Sequence, residues 1–515
     1  MTYDSPTAPA CEPAMTQPTP LDADSAPADA LLHETTGLCG TCKRALPARI
    51  HATADGEVWM HKRCPSHGPQ AVRISTNADW YQRMRAIHAP ANPPPEARKP
   101  VDHGCPFDCG PCDQHQQRVR LPVVTVTSAC NLDCPICYVH NKNEDAYHMP
   151  PAEFGQVLDH LVADHGGSLD LINLTGGDPT LHPQLIELLQ MSHAAGIHRV
   201  AICTNGLKLI SDPELLERLA ALDVRIALSF QSFDDQADFE MQGAHLVAAK
   251  QRCLEVLEAY DLDTTLIPVM TKGLNDHEIG AIIEMGLSRK NVRHIEVHTM
   301  TYTGQGGVNC DRSGRISMYE VLERIEETTA GLLRPDHFVP SPCAHAHCYQ
   351  IAYLLIDPDG GPPVPFLDFV TADEMYLALS EHLYLEPSPQ LESILRAAID
   401  RLWVEDRPDS ERILGILKRF LRTLFPTRPL SRAEALRAGE RAVKAIYVHS
   451  HMDEETFDVE RLADCCDSNC YADGTTIPVC AYNVLYRDKE RRFMDTPARW
   501  DDRSGGRKKL PIYSP

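Results

Sequence analysis

Cys130, Cys134 and Cys137 stand in a C-x3-C-x2-C spacing, inside the run Val123-Val-Thr-Val-Thr-Ser-Ala-Cys-Asn-Leu-Asp-Cys-Pro-Ile-Cys-Tyr138. Three thiolates this close can hold three corners of a four-iron cluster and leave one iron without a protein ligand. An iron with an open position is where a small molecule can chelate. Zinc is the other metal that closely spaced cysteines take, but zinc sites usually pair their ligands as two separated C-x2-C units. A second triad, Cys105, Cys109 and Cys112, repeats the spacing, so spacing alone does not say which cluster is the reactive one. Context separates them. Cys130 follows an alternating β-branched run that reads as a strand, and the aromatic Tyr138 follows Cys137. Cys105 follows no such run, and Asp113 comes after Cys112. The Cys105 triad therefore reads as an auxiliary iron–sulfur cluster and the Cys130 triad as the reactive one.

Two more groups of candidate ligands flank these. Cys39-Gly-Thr-Cys42 and Cys64-Pro-Ser-His67 lie on either side of an expected hairpin, 49–61, turning at Asp55-Gly56. Two knuckles facing each other across a hairpin describe a zinc-ribbon or rubredoxin-like site holding one mononuclear zinc or iron. Cys39, Cys42 and Cys64 are its candidate ligands, with His67 or a distant cysteine as the fourth. Such a site is fully ligated by protein, so its expected role is structural. Far downstream come Cys343 and Cys348, then Cys465, Cys466, Cys470 and Cys480. Cys343, Cys466 and Cys480 are the first candidates to complete the Cys105 triad or to hold a second auxiliary cluster, with Cys348, Cys465 and Cys470 next. Cys203, Cys253 and Cys310 read as core or loop thiols.

Over 515 residues the chain carries 72 acidic and 49 basic side chains, a formal net charge of −23. A polyanionic nucleic acid is repelled by that balance, which argues against DNA or RNA as a partner. The 19 cysteines are too few for a disulfide scaffold of this length and too clustered to be incidental, which points to metal in a reducing compartment. No run approaches the roughly 20 apolar residues of a membrane span. The first residues lack the charged-then-apolar pattern of a secretory signal. The expected location is the cytoplasm.

The elements that must position the cysteines follow from periodicity. Residues 1–34, rich in Pro, Ala, Thr and Asp, read as a disordered acidic tail in which Cys11 is incidental. A metal module is expected over 35–90, and a linker with the first cysteine triad over 91–118. From 119 to 335 strands alternate with amphipathic helices, the strands at 121–127, 169–175, 198–204, 224–230, 264–270 and 293–299. Six such repeats make the fold α/β, a partial (βα)6 TIM-like barrel. Chemistry in such barrels gathers at the C-terminal strand ends. Those ends carry the cysteine loop, Gly176-Gly177-Asp178-Pro179, Thr204-Asn205, Ser229 with Gln231, Lys272 with Asn275, and His298. A C-terminal region for auxiliary clusters is expected over 336–490, and a tail over 491–515. Within the former, 412–425 is a basic amphipathic helix stopped by Pro426. Packing on the protein is the plainer reading of it, and contact with a lipid surface the sharper one.

Together these motifs resemble the radical S-adenosylmethionine (SAM) superfamily. The order C-x2-C, C-P-x-H-G, G-C-P-F-D-C-G-x-C, then the strand with its C-x3-C-x2-C loop, resembles the subfamily of tetraether lipid synthases and class D dihydropterin C-methylases. The resemblance implies a [4Fe–4S] cluster on Cys130, Cys134 and Cys137 that binds SAM and cleaves it reductively to a 5′-deoxyadenosyl radical. Gly176, Gly177, Asp178 and Pro179 resemble the G-G-E-P motif that meets the SAM amino group. Tyr138, Thr204, Asn205, Ser229 and Gln231 fall where the family contacts the rest of the cofactor. The implied activity is C–C bond formation at an unactivated carbon, by C-methylation or alkyl coupling, on a pterin-like small molecule or a lipid chain. One or two auxiliary [4Fe–4S] clusters, an electron donor such as flavodoxin or ferredoxin, and a reduced folate as one-carbon donor belong to the same expectation. A peptide-modifying radical enzyme and a non-enzymatic electron-transfer protein are the alternatives.

Overall fold

The computed structural model describes residues 30–96, 100–139, 146–167, 169–380, 384–405 and 409–487. Cys11 and the expected tail 491–515 lie outside the described residues. So does most of the expected tail 1–34, but not its end. Strand β1 (Ala30–Leu38) starts inside that stretch and opens an antiparallel meander with β2 (Ala45–Ala52), β3 (Val58–Cys64) and β4 (Gly68–Ser75). The polar His33-Glu-Thr-Thr36 sequence hides this strand because backbone pairing to β2 makes it, with little apolar alternation. Thr35 also donates a 2.6 Å hydrogen bond to Asp458, far along the chain.

The second sheet is built first from β5 (Leu121–Thr127), β6 (Leu171–Gly176), β7 (Arg199–Thr204), β8 (Arg225–Ser229), β9 (Thr264–Ile267), β10 (Val269–Met270) and β11 (Val292–Thr299). β5, β6, β7, β8, β9 and β11 are parallel neighbours in chain order. The expected fifth strand is split at Pro268, which has no N–H to give the ladder, and β10 continues beside β11. Intervening helices such as Pro151–Asp164, Leu185–Ala194 and Val247–Ala259 bury their apolar faces on the outside of these strands.

The region 336–490, expected to bear auxiliary clusters, also completes the sheet on both edges. It supplies β12 (Val339–Pro340), β13 (Tyr349–Leu355), β14 (Val364–Pro365), β15 (Val443–His449), β16 (Asp467–Cys470) and β17 (Thr476–Pro478). β15 runs parallel to β11, and β13 pairs antiparallel with β15. At the other edge β16 runs parallel to β5. The two edges come together where Cys343, just after β12, lies 3.3 Å from Cys466, just before β16. The sheet thus curls into a barrel.

The N-terminal end of the barrel is stoppered by charge. Glu440, from the helix Arg432–Ala442, accepts from Arg199 at 2.5 Å and Arg225 at 2.9 Å, and Arg199 also reaches Glu386 at 2.6 Å. Burial works against an ionised Glu440, but the two guanidiniums outweigh it and hold its carboxyl down at about 2.

The amphipathic helix spans Ser410–Leu424 and turns its apolar face to protein. Ile413, Leu417, Phe420 and Leu424 are buried in a second core against the helix Pro389–Glu405 and the β13–β15 pair. Two of its basic residues are paired: Arg412 and Arg419 each lie 3.4 Å from Asp357. Core packing, the plainer of the two readings, explains its periodicity. No helix among the described residues is long and apolar enough to cross a membrane. Leu417→Ala is expected to cost about 2–5 kcal/mol in denaturant unfolding. The wild type should not co-sediment with anionic liposomes at low salt.

Candidate active site

The cysteine loop leaves β5 at Thr127 and is clamped by the loops that follow β6 and β7. The Gly177 N–H donates to the Thr127 carbonyl at 2.8 Å and the Asp178 N–H to that of Ala129 at 2.7 Å. A Cβ on Gly176 would lie 1.9 Å from the Thr127 oxygen, and one on Gly177 2.1 Å from the Ala129 oxygen. Only glycine lets the two backbones lie this close, so the pair serves first to set the cysteine loop.

Asp178 is tied first to the protein itself. Its side chain is buried and accepts from the Thr180 N–H and hydroxyl at 2.9 and 2.6 Å, from the Thr204 hydroxyl at 2.8 Å, and from the Asn205 N–H at 2.9 Å. A carboxylate so engaged positions its neighbours. Asn205 in turn donates from its side chain to Asn131 at 2.6 Å, within the cysteine loop. Its carbonyl accepts from Lys250 at 2.7 Å, and Lys250 also reaches Ser229 at 2.8 Å. Pro179 begins the short 3-10 turn Pro179–Leu181, which Asp178 caps.

A cavity of about 360 Å³ fills the barrel interior. Cys134, Cys137 and Tyr138 line one end, and Arg199, Arg225 and Glu440 the other. Gly176, Ser229 and Gln231 contribute to its wall, whereas Gly177, Asp178, Pro179, Thr204 and Asn205 stand behind it. Cys203, expected as a core thiol, also faces the cavity. The donor set fits a metal cluster. Burial, then the charges of Cys137 and Cys130, drive the Cys134 thiol far above its ordinary value, and the buried Lys250 ammonium opposes them. Iron coordination would relieve that penalty by taking the thiolates.

In the N-terminal meander the ligand atoms of Cys39, Cys42, Cys64 and His67 all lie within 4.8 Å of one another. Burial disfavours the Cys39 thiolate, but hydrogen bonds from the Cys42 and Thr41 backbone and the Gln70 amide overcome this and bring it to about 6. Cys105 and Cys109 pack in a buried cluster with Cys480, Tyr482 and Tyr486, and burial followed by the Cys112 charge pushes Cys105 up to about 12. The C-terminal thiols divide. Cys343 and Cys466 form the close pair at the barrel seam, while the Arg461 guanidinium reaches Cys348 at 3.5 Å. Cys465 interacts electrostatically with both Cys480 and Cys348. Cys470 is a core thiol donating to the Ser468 carbonyl.

His298, expected at a strand end, faces the cavity, but the groups around it escaped the sequence reading. Glu296, His449 and His451 gather with it at the ends of β11 and β15, and Asp467 and Asn469 face the cavity from β16. The apolar run 445–448 ending in His449-Ser-His451 was a readable strand signal. The polar Asp467-Ser-Asn-Cys470 gave none.

Residues 124–286 match the model of the radical SAM superfamily, and residues 31–76 that of the HMPTM N-terminal zinc ribbon domain. The chain therefore carries a radical SAM domain behind a zinc ribbon. It is similar over most of its length to the 7,8-dihydro-6-hydroxymethylpterin dimethyltransferase of Methanocaldococcus jannaschii, with 26% identity over 91% of this chain and 96% of that protein. The GTP 3′,8-cyclase of Alkaliphilus oremlandii is 26% identical over 42% of this chain and 66% of its own length. Among solved structures, Streptococcus suis SuiB bound to the precursor peptide SuiA matches at 19% identity with a TM-score of 0.34, over 42% of this chain and 46% of that one.

Asp178→Ala would strand the Thr204 hydroxyl and the Asn205 N–H without their acceptor. The expected cost is about 1–3 kcal/mol, read as a lower thermal midpoint with reduced iron retention after reconstitution. Cys39→Ser/Cys42→Ser should release the ribbon metal while iron and sulfide content stay unchanged, as elemental analysis would show.

Proposed function

We propose that the chain is a radical SAM C-methyltransferase acting on a pterin-type heterocycle. The observation that carries this reading is the near full-length similarity to a dihydropterin dimethyltransferase, which takes in the ribbon, the barrel and the C-terminal strands together. When bound, the cluster and SAM supply a carbon-centred radical. The chain's own part is to hold, orient and keep dry. Cys130, Cys134 and Cys137 hold the cluster, and Tyr138 flanks it under the Arg487 guanidinium, 5.6 Å above its ring. The barrel wall shields the reacting carbon from bulk water.

Cavity chemistry favours the heterocycle over a lipid chain. The space is of small-molecule size, and the buried Arg199–Glu440–Arg225 stopper ends it in charge. Asp467 Oδ1 and Asn469 Nδ2 are buried and without hydrogen-bond partners among the described residues. An aminopyrimidinone edge, with N–H donors beside a carbonyl, would satisfy both. Auxiliary clusters on Cys105, Cys109 and Cys112 and on members of the set Cys343, Cys348, Cys466 and Cys480 belong to the proposal. So do a reduced folate as one-carbon donor, a flavodoxin or ferredoxin as electron source, and a cytoplasmic setting.

Anaerobically reconstituted protein with dithionite, SAM and 6-hydroxymethyl-7,8-dihydropterin is expected to form 5′-deoxyadenosine. With a methylene-carrying reduced folate added, it should also form a methylated pterin detectable by mass spectrometry. Cys134→Ala/Cys137→Ala should abolish 5′-deoxyadenosine, whereas Cys109→Ala should retain some. The reverse pattern would exchange the roles of the two triads. Burial and the Glu296 charge push Asp467 up to about 8, so Asp467→Ala should raise the pterin KM several-fold, the order expected for losing a neutral hydrogen bond. Methylation of no pterin, with SAM cleavage intact, would overturn the substrate assignment alone.

A further inference from the structure

The barrel cavity contains a second constellation that the cysteines do not explain. β11 and β15 run side by side, and their register pairs His298 directly with His449. His451 lies two residues beyond. One ligand atom from each of the three imidazoles can be chosen so that all lie within 4.8 Å of one another. The ring centroids of His298 and His449 are 5.1 Å apart, those of His298 and His451 5.3 Å, and those of His449 and His451 3.9 Å. All three line the cavity. Glu296, two residues before His298 on the same strand, places Oε1 3.1 Å from His298 Nε2 and 3.5 Å from His449 Nδ1. Tyr349 stacks on His449 at 3.6 Å and fixes that ring.

We propose that His298, His449 and His451 bind a divalent first-row metal ion, zinc or ferrous iron, at the C-terminal end of the barrel. Three imidazoles share a single carboxylate here, and the buried His449 Nδ1 has no hydrogen-bond partner among the described residues; a cation is the group that satisfies several ring nitrogens at once. Nitrogen donors suit zinc and iron. Glu296 is the carboxylate that such sites use to orient the rings and offset the charge. The ribbon site supplies four protein donors and is closed. This one supplies three from histidine and faces a cavity, the arrangement that leaves a coordination position for an exogenous ligand. The Tyr138 ring, next to the cysteine triad, is 6.3 Å from that of His451. An oxygen or nitrogen of a small molecule in the cavity therefore has a Lewis acid within reach. The inference does not depend on which substrate the cavity takes.

The test uses the full-length reconstituted enzyme, zinc as the probe, and elemental analysis after desalting. Wild type is expected to retain about two zinc ions per chain, one of them in the closed cysteine-rich site. His298→Ala/His449→Ala should lose one with iron and sulfide unchanged, and Cys39→Ser/Cys42→Ser should lose the other. Should the histidine variant fold poorly, the Cys39→Ser/Cys42→Ser protein still decides the matter, because it leaves the histidines intact. Zinc K-edge absorption on it should show nitrogen-rich coordination. Either a single wild-type zinc lost on removing the ribbon cysteines, or sulfur-dominated coordination of what remains, would overturn the proposal.

Discussion

The Asp178 carboxylate is the tie on which the active end of the barrel depends. Through its own N–H it holds the loop after β5, and through its oxygens it fastens the first residues beyond β7. Three successive strand ends are thereby locked in one arrangement. An anionic acceptor at the centre strengthens each bond, since hydrogen bonds to a charged group exceed neutral ones. The neighbouring glycines make the tie possible by removing the atoms that would hold the two loops apart. What looks in the sequence like a cofactor motif is in the first place a structural joint, and the cofactor surface is what the joint leaves exposed.

Charge is managed differently at the two ends of the cavity. At the closed end, arginine and glutamate neutralise each other in a buried network whose loss on one side would leave an unpaired ion. At the reactive end the thiols crowd together, and a single buried ammonium, Lys250, sits behind them. Metal binding and protein charge are thus coupled. Burial keeps the Cys130 and Cys134 thiols protonated in the apoprotein, so a cluster bound there would take them as thiolates and release protons.

How much of this was legible in the sequence follows from how each element is made. The six barrel strands and their helices were readable because burial on both faces gives near-continuous apolar runs between amphipathic stretches. Strand β5 lies at 121–127 as expected. The edge strands were missed for two different reasons. β15 is apolar and fully buried, but it sits among cysteine groups that drew the reading toward metal. β16 is short and polar, and only its partner β5 makes it a strand. Lys250 could have been found, since it shares a helical face with Cys253, Leu254 and Leu257, and a lysine on that stripe must be buried. The gathering of His298 with His449 and His451 could not, because only the pairing of strands far apart in the chain brings them together.

The seam at Cys343 and Cys466 has a consequence for how the protein comes to exist. Leu121 begins the first barrel strand, yet its edge partner Asp467 is joined to it only when nearly the whole chain is in place. During synthesis the parallel strands emerge with one edge open, and such unpaired edges invite association with other chains. Pairings this distant also form slowly. The Leu121 edge therefore stays uncovered until β16 arrives, and the strand made late is the one that removes the hazard.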